Sequence, residues 1–201
     1  RKLIEKMWLK KFFILNFLIF SIGAVGPKKV RWEWQEEDEN DLRLVKPFVD
    51  PIDGIDYRLP NNTTPLHYDI KLSTNIHASN FAFDGVVTIR IKALESTSNI
   101  TVHYRQINVT NVDLHDASSN LIQANVTFST EVEKDFLIIR PQNVLVMNQT
   151  YHVQITYDGE LRTDDAGFYR GSYIDKDGVT KWHATTQFES TDARHAFPWY
   201  A

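Results

Sequence analysis

Two side chains near the C-terminal end, Gln187 and Glu189, have the types and spacing to recognise an amine. In the stretch ATTQFES a period of two places them on one face of a strand, with Thr186 and Phe188 on the other. With Phe188 turned inward, a carboxamide and a carboxylate point outward together. Two such acceptors can receive the N–H donors of an ammonium group, and Glu189 adds the opposite charge. The same spacing also describes an ordinary solvent-facing polar pair, because charged residues usually occupy such faces. Other chemistry is scarce. The seven histidines, His67, His77, His103, His115, His152, His183 and His195, include no pair at i, i+2 or i, i+4, and no H-E-x-x-H occurs. A catalytic zinc needs about three protein ligands, commonly with two histidines one helical turn apart, so no metal site is expected in this chain. His103 and His152 read as positions on the polar faces of strands. There is no G-x-S-x-G, no phosphate-cradling glycine loop and no dinucleotide fingerprint. Asp175-Lys176-Asp177-Gly178 lacks the later ligands of a calcium loop and reads as a turn. No catalytic residue is therefore assigned.

The elements that must position the pair are strands. LHYDIKL places Leu66, Tyr68, Ile70 and Leu72 on one face, and GVVTIRIKAL sets Val87, Ile89 and Ile91 against Thr88, Arg90 and Lys92. The alternation returns in ITVHYRQ, NVTF, DFLIIR and TYHVQITYDG, between clusters of turn-forming residues. FYRGSYIDKDGVTKWHATTQFE reads as a hairpin around Asp-Lys-Asp-Gly. Beyond residue 57 no window of eleven or more residues patterns as an amphipathic helix. Many short strands at intervals of about ten residues predict an all-β fold, an antiparallel β-sandwich.

The first 56 residues differ in character. Lys10 and Lys11 precede an apolar run and small residues, the pattern of a signal peptide, so residues 1–26 are read as a helical signal peptide or signal anchor with an upstream extension. Residues 27–56 are rich in acids, among them Glu33, Glu36, Glu37, Asp38, Glu39 and Asp41, and predict a disordered acidic linker. Asn-x-Ser/Thr triplets at Asn61, Asn62, Asn99, Asn108, Asn125 and Asn148 are candidate glycosylation sites, with at most one of the overlapping Asn61 and Asn62 used. Together these predict a glycoprotein that is secreted or on the extracellular face of the plasma membrane. Zero cysteines exclude a disulfide framework, a cysteine-ligated zinc and a thiol nucleophile. A net charge of -4 without a basic patch disfavours nucleic acid as a partner.

YRLPNNTTPLHYDIKL (57–72), FDGVVTIRIKAL (83–94), AGFYRGSY (166–173) and TTQFESTDARHAFPWY (185–200) resemble the N-terminal domain of the M1, gluzincin-type zinc aminopeptidases, the aminopeptidase N group. The resemblance spans residues 57–201. It implies a saddle-like β domain of an extracellular enzyme that releases N-terminal residues from peptides, with peptide N-termini as partners. It further implies that Gln187 lines the first-residue pocket and that Glu189 binds the substrate α-ammonium. The family's G-A-M-E-N loop, its H-E-x-x-H helix and hence its zinc are not in this sequence, so the chain alone is expected to be inactive and truncated before the catalytic domain. Membrane association is expected through a signal anchor or a C-terminal anchor absent here. A non-catalytic secreted binding or decoy module is the alternative reading. The pattern departs at Trp199, where the family carries a small Cys, and a large ring at a packed position costs about 1–3 kcal/mol.

Overall fold

The computed structural model describes residues 55–200, so the expected signal segment and nearly all of the acidic linker lie outside the described residues. Ten strands follow in chain order: β1 (Thr63–Thr74), β2 (Ala82–Ala93), β3 (Ile100–His103), β4 (Ile107–His115), β5 (Leu121–Gln123), β6 (Thr127–Glu131), β7 (Phe136–Arg140), β8 (Thr150–Glu160), β9 (Gly167–Ile174) and β10 (Thr180–Gln187). The only helical pieces among the described residues are short 3₁₀ turns at Ile76–Ala78, Val132–Lys134 and Asp192–His195. The fold is thus all-β, as the alternation predicts.

The strands form a five-stranded sheet in the order β1-β2-β8-β4-β5, a three-stranded sheet in the order β3-β7-β6, and the separate hairpin β9-β10. Every ladder is antiparallel. Alternation decides which face of the large sheet is apolar: Val87, Ile89 and Ile91 of β2 and Ile155 of β8 are fully buried. Ile100, Val102, Leu137 and Ile139 of the three-stranded sheet join them in one core. The hairpin forms where expected. Asp175 Oδ1 accepts the N–H groups of Asp177 and Val179, and Gly178 supplies a positive φ of 76°.

Two expectations are corrected. Leu66 and Ile70, which the pattern marks as apolar, are 45% and 37% exposed: Leu66 falls where the β1–β2 register shifts between Pro65 and His67, and Ile70 lies on an edge strand of which Tyr68 and Leu72 pack against the core. His103 is not on a polar face. It is 2% exposed, since all four residues of β3 are covered on both sides. Its Nε2–H donates to the carbonyl oxygen of Tyr57 at 2.9 Å, and its Nδ1 is buried without a partner.

Candidate functional site

The hairpin positions the sequence-predicted pair. Gln187 is the last residue of β10 and lies opposite Gly167, the first of β9. Gly167 is at φ 69°, and an added Cβ would come within 2.6 Å of His195 Cβ, so glycine is required where the hairpin meets the Asp192–His195 turn. Period two does not continue to Glu189. The strand ends at Gln187, Phe188 packs edge-on against Phe197 at 5.7 Å between ring centres, and the Asp192 N–H closes a turn onto the Phe188 carbonyl at 3.1 Å. Phe188 is turned towards the core as expected, whereas Glu189 stands exposed in the turn, two residues from half-buried Gln187. Neither side chain has a hydrogen-bond or ion-pair partner among the described residues. Both are therefore available to a ligand.

The segment after the turn anchors the site to the domain. Ala193, Ala196 and Phe197 are buried. Trp199 pairs through its backbone with His103, at 2.8 Å and 3.0 Å, and its ring is half-buried with Nε1 unpartnered. The Tyr200 N–H donates to the Tyr68 hydroxyl at 3.0 Å, and the Tyr200 hydroxyl meets Thr63 Oγ1 at 2.9 Å. Burial pushes the Tyr68 phenol up to about 12, so it remains a neutral hydroxyl that can accept from Tyr200.

A polar cluster that the sequence does not reveal lies beside the same turn. Arg162 reaches Asp164 and Gln106 and donates from Nη1 to His195 Nδ1 at 2.9 Å. The His195 proton then belongs on Nε2, which faces Asp192 Oδ1 at 3.7 Å. These groups border an open cleft of about 510 Å³ with Arg170 on its wall. They come from four separate segments, so no local spacing could have announced them. The cluster is internally paired and organises the turn.

Both buried histidines are held below the usual imidazole value. For His103 the cause is burial first, then the nearby Arg194 charge; for His195 it is burial, then Arg162 and Arg105. The unfolded chain takes up these protons at about pH 6.5 and the folded chain only at lower pH, so acid favours unfolding across that window. Folding stability is expected to fall as pH drops below about 6.5 and to level off once the folded rings also titrate. Urea midpoints measured across this range check it, and His103→Gln should flatten the slope. A slope unchanged in that variant refutes the assignment to His103.

The candidate glycan acceptors differ in access. Asn61, Asn125 and Asn148 are exposed, the latter two at positive φ, and Asn108 is exposed but its amide donates to Asp158 Oδ1 at 2.9 Å. Asn62 is only 5% exposed, and its amide donates to Thr97 Oγ1 and to both oxygens of half-buried Asn99. Among the described residues no three His, Cys, Asp or Glu side chains stand together to hold a metal ion. No helix among them is long and apolar enough to cross a membrane.

Comparison with known proteins extends this geometry. A family described as the peptidase M1 N-terminal domain matches residues 64–200. The chain is 37% identical over 157 residues to a membrane alanyl aminopeptidase of Manduca sexta, covering 72% of the chain and 16% of that relative. It is 38% identical over 142 residues to an alanine/arginine aminopeptidase of Saccharomyces cerevisiae, covering 70% and 16%. With aminopeptidase N of Canis lupus familiaris the identity is 33% over 150 residues, covering 71% and 15%. The chain thus spans about one sixth of the length of these relatives.

Proposed function

The chain belongs to the peptidase M1 family through its N-terminal domain, and on that premise we propose that it forms the amine-recognising wall of a zinc aminopeptidase. In this reading Gln187 and Glu189 receive the N–H donors of a peptide's α-ammonium group, Glu189 supplying the opposite charge. That fixes the peptide end, so that only the first peptide bond can reach a catalytic centre contributed by the rest of the parent enzyme. The observation that carries the proposal is the pair of unpartnered acceptors at the end of β10, one in the last strand position and one exposed in the following turn. Elsewhere on this domain, outward carboxylates such as Asp113, Asp116 and Asp175 are occupied by their own turns.

Zinc would be held by the rest of the parent enzyme; among the described residues no ligand set stands together. The parent is placed on the extracellular side, with residues 1–26 as the targeting segment, 27–56 as a linker and 57–201 as the β domain. Exposed Asn61, Asn125 and Asn148 support glycan attachment there.

Backbone amide spectra of the chain, titrated with alanine amide and separately with N-acetyl-alanine amide, test the amine site. The free amine is expected to shift Gln187 and Glu189, weakly and with saturation, whereas the acetylated form should not. Equal responses to both compounds would remove the ammonium from the interaction.

A further inference from the structure

The outward face of the five-stranded sheet carries a row of basic and titratable side chains running across the strands. The register sets His67 opposite Arg90, Arg90 opposite His152, and His152 opposite His115. Residues paired directly across antiparallel strands share a face, with their Cβ atoms about 4.5–5.5 Å apart. Their sequence neighbours Ile89, Ile91, Val153 and Leu114 are buried, so the row projects away from the core.

The hydrogen bonds orient the rings. His152 Nδ1–H donates to the carbonyl oxygen of Asp116 at 2.9 Å, which leaves the lone pair of the neutral ring on Nε2. His115 Nδ1 is buried without a partner, so its proton belongs on the other nitrogen, Nε2. Arg90 is exposed and its guanidinium bonds to no described residue. With both rings neutral, the three positions therefore read donor, acceptor, donor. Protonation of His152 at Nε2 converts the row to three adjacent donors and adds positive charge at its centre.

Among the surrounding charges the Asp116 carboxylate lies near enough to His152 to interact with it through space, but it bonds to Ser118 and Asn120 rather than to the ring. Lys92 lies one outward position further along β2, and Lys71 is on β1. Asp69 turns to His67 at 3.3 Å. Asp113 accepts from the Asn125 N–H and the Asn111 amide, and Asp116 from Ser118 and Asn120. Gln154 is the next outward residue on β8, and β5 beside His115 brings Leu121 and Gln123. Among the described residues no carboxylate bonds to Arg90, His115 or His152. A divalent metal suits the place poorly, since no third ligand joins the two imidazoles and Arg90 flanks them.

We infer that Arg90, His152 and His115 form a proton-gated site for an oxyanion of the phosphate class, with His152 as the gate. Bound anion favours the protonated ring, so by linkage it must raise the His152 titration point. Imidazole resonances of the full chain, followed against pH with inorganic phosphate and with sodium chloride at matched ionic strength, test this. Phosphate is expected to raise the His152 midpoint by about half a pH unit over chloride, a threefold preference for the protonated form. Arg90→Gln should abolish most of that increment. Equal midpoints in the two salts, or an increment that survives both Arg90→Gln and His115→Gln, would overturn the site. Vesicles containing phosphatidic acid distinguish the source of the anion. Co-sedimentation near about pH 5.5 but not about pH 7.5, together with the phosphate response, assigns a lipid phosphomonoester. The phosphate response without co-sedimentation assigns the free ion, and co-sedimentation without that response overturns the site in favour of general membrane attraction.

Discussion

Gly85→Ala is expected to destabilise the domain by about 3 kcal/mol, the upper end of the range for overpacking a core, and to do so through one side chain. Gly85 lies in β2 directly opposite Tyr157 of β8. An added Cβ would stand 2.2 Å from Tyr157 Cζ and 2.3 Å from Cε2, inside the ring's own volume. The ring cannot swing away cheaply: Tyr157 is 1% exposed and packs edge-on to Phe83, itself 2% exposed. The Tyr157 hydroxyl is buried without a partner, and burial pushes its pKa upward, so the ring already occupies a position set by packing alone. A ring laid over a glycine on the neighbouring strand covers backbone that would otherwise be bare, and here it does so within the β2–β8 pairing. The loss is a sizeable part of the about 5–15 kcal/mol that holds a domain of this size together. Denaturant midpoints of Gly85→Ala in the native and Tyr157→Leu backgrounds isolate the contact. The substitution should cost less than half as much once the ring is gone. An equal cost in both backgrounds would mean that the strand backbone, not the ring, resents the methyl group.

The limits of sequence reading follow from the same packing. Period two located Val87, Ile89 and Ile91 because β2 has one face on the core and one face outward. It failed at His103, because β3 is covered on both faces and alternation then carries no information about burial. It failed again at Leu66, where the register shifts between Pro65 and His67, and at Ile70, where the pattern gives the face but not how much of an edge strand the second layer covers. The hairpin was legible because Asp175 and Gly178 satisfy a turn by themselves. Gln187 and Glu189 could be picked out by type, but their relation could not be derived from strand geometry. Phe188 is drawn onto Phe197 and the chain turns there, a contact between residues whose pairing depends on the Asp192–His195 turn. The cluster of Arg162, Gln106 and His195 was invisible for a related reason, since its members meet only after the strands have assembled.

Asn62→Asp is expected to be the other severe lesion, at about 3–5 kcal/mol, although it changes a single atom in size and shape. The native amide nitrogen serves a nest of three oxygens at once, while Asn62 Oδ1 accepts from the Thr63 hydroxyl. It donates to Thr97 Oγ1 at 2.8 Å, to the Asn99 carbonyl at 3.2 Å and to Asn99 Oδ1 at 2.9 Å. A carboxylate there would set a buried negative charge against the Asn99 carbonyl and Oδ1, and the Thr97 hydroxyl could turn to it only by giving up its own bond to the Asn99 carbonyl. The site matters because it joins the start of β1 to the loop before β3: the Leu94 N–H donates to the Asn62 carbonyl at 2.8 Å, and Thr97 exchanges backbone hydrogen bonds with Leu145. The aspartate would escape part of the cost by remaining protonated in the fold, which raises its pKa above the unfolded value of about 3.9. The defect is then smallest below about pH 4 and grows as pH rises towards the folded pKa. Urea titrations at several pH values read this directly; a penalty that does not grow with pH would show that the charge escapes burial. The same nest bears on modification. A glycan on Asn62 would have to leave its amide one N–H and fit beside Thr97, whereas Asn61, one residue earlier, is exposed. Under the proposed extracellular placement, Asn61→Gln is therefore expected to abolish glycan attachment at this overlapping pair, and peptide mass mapping of the chain expressed through a secretory route checks it.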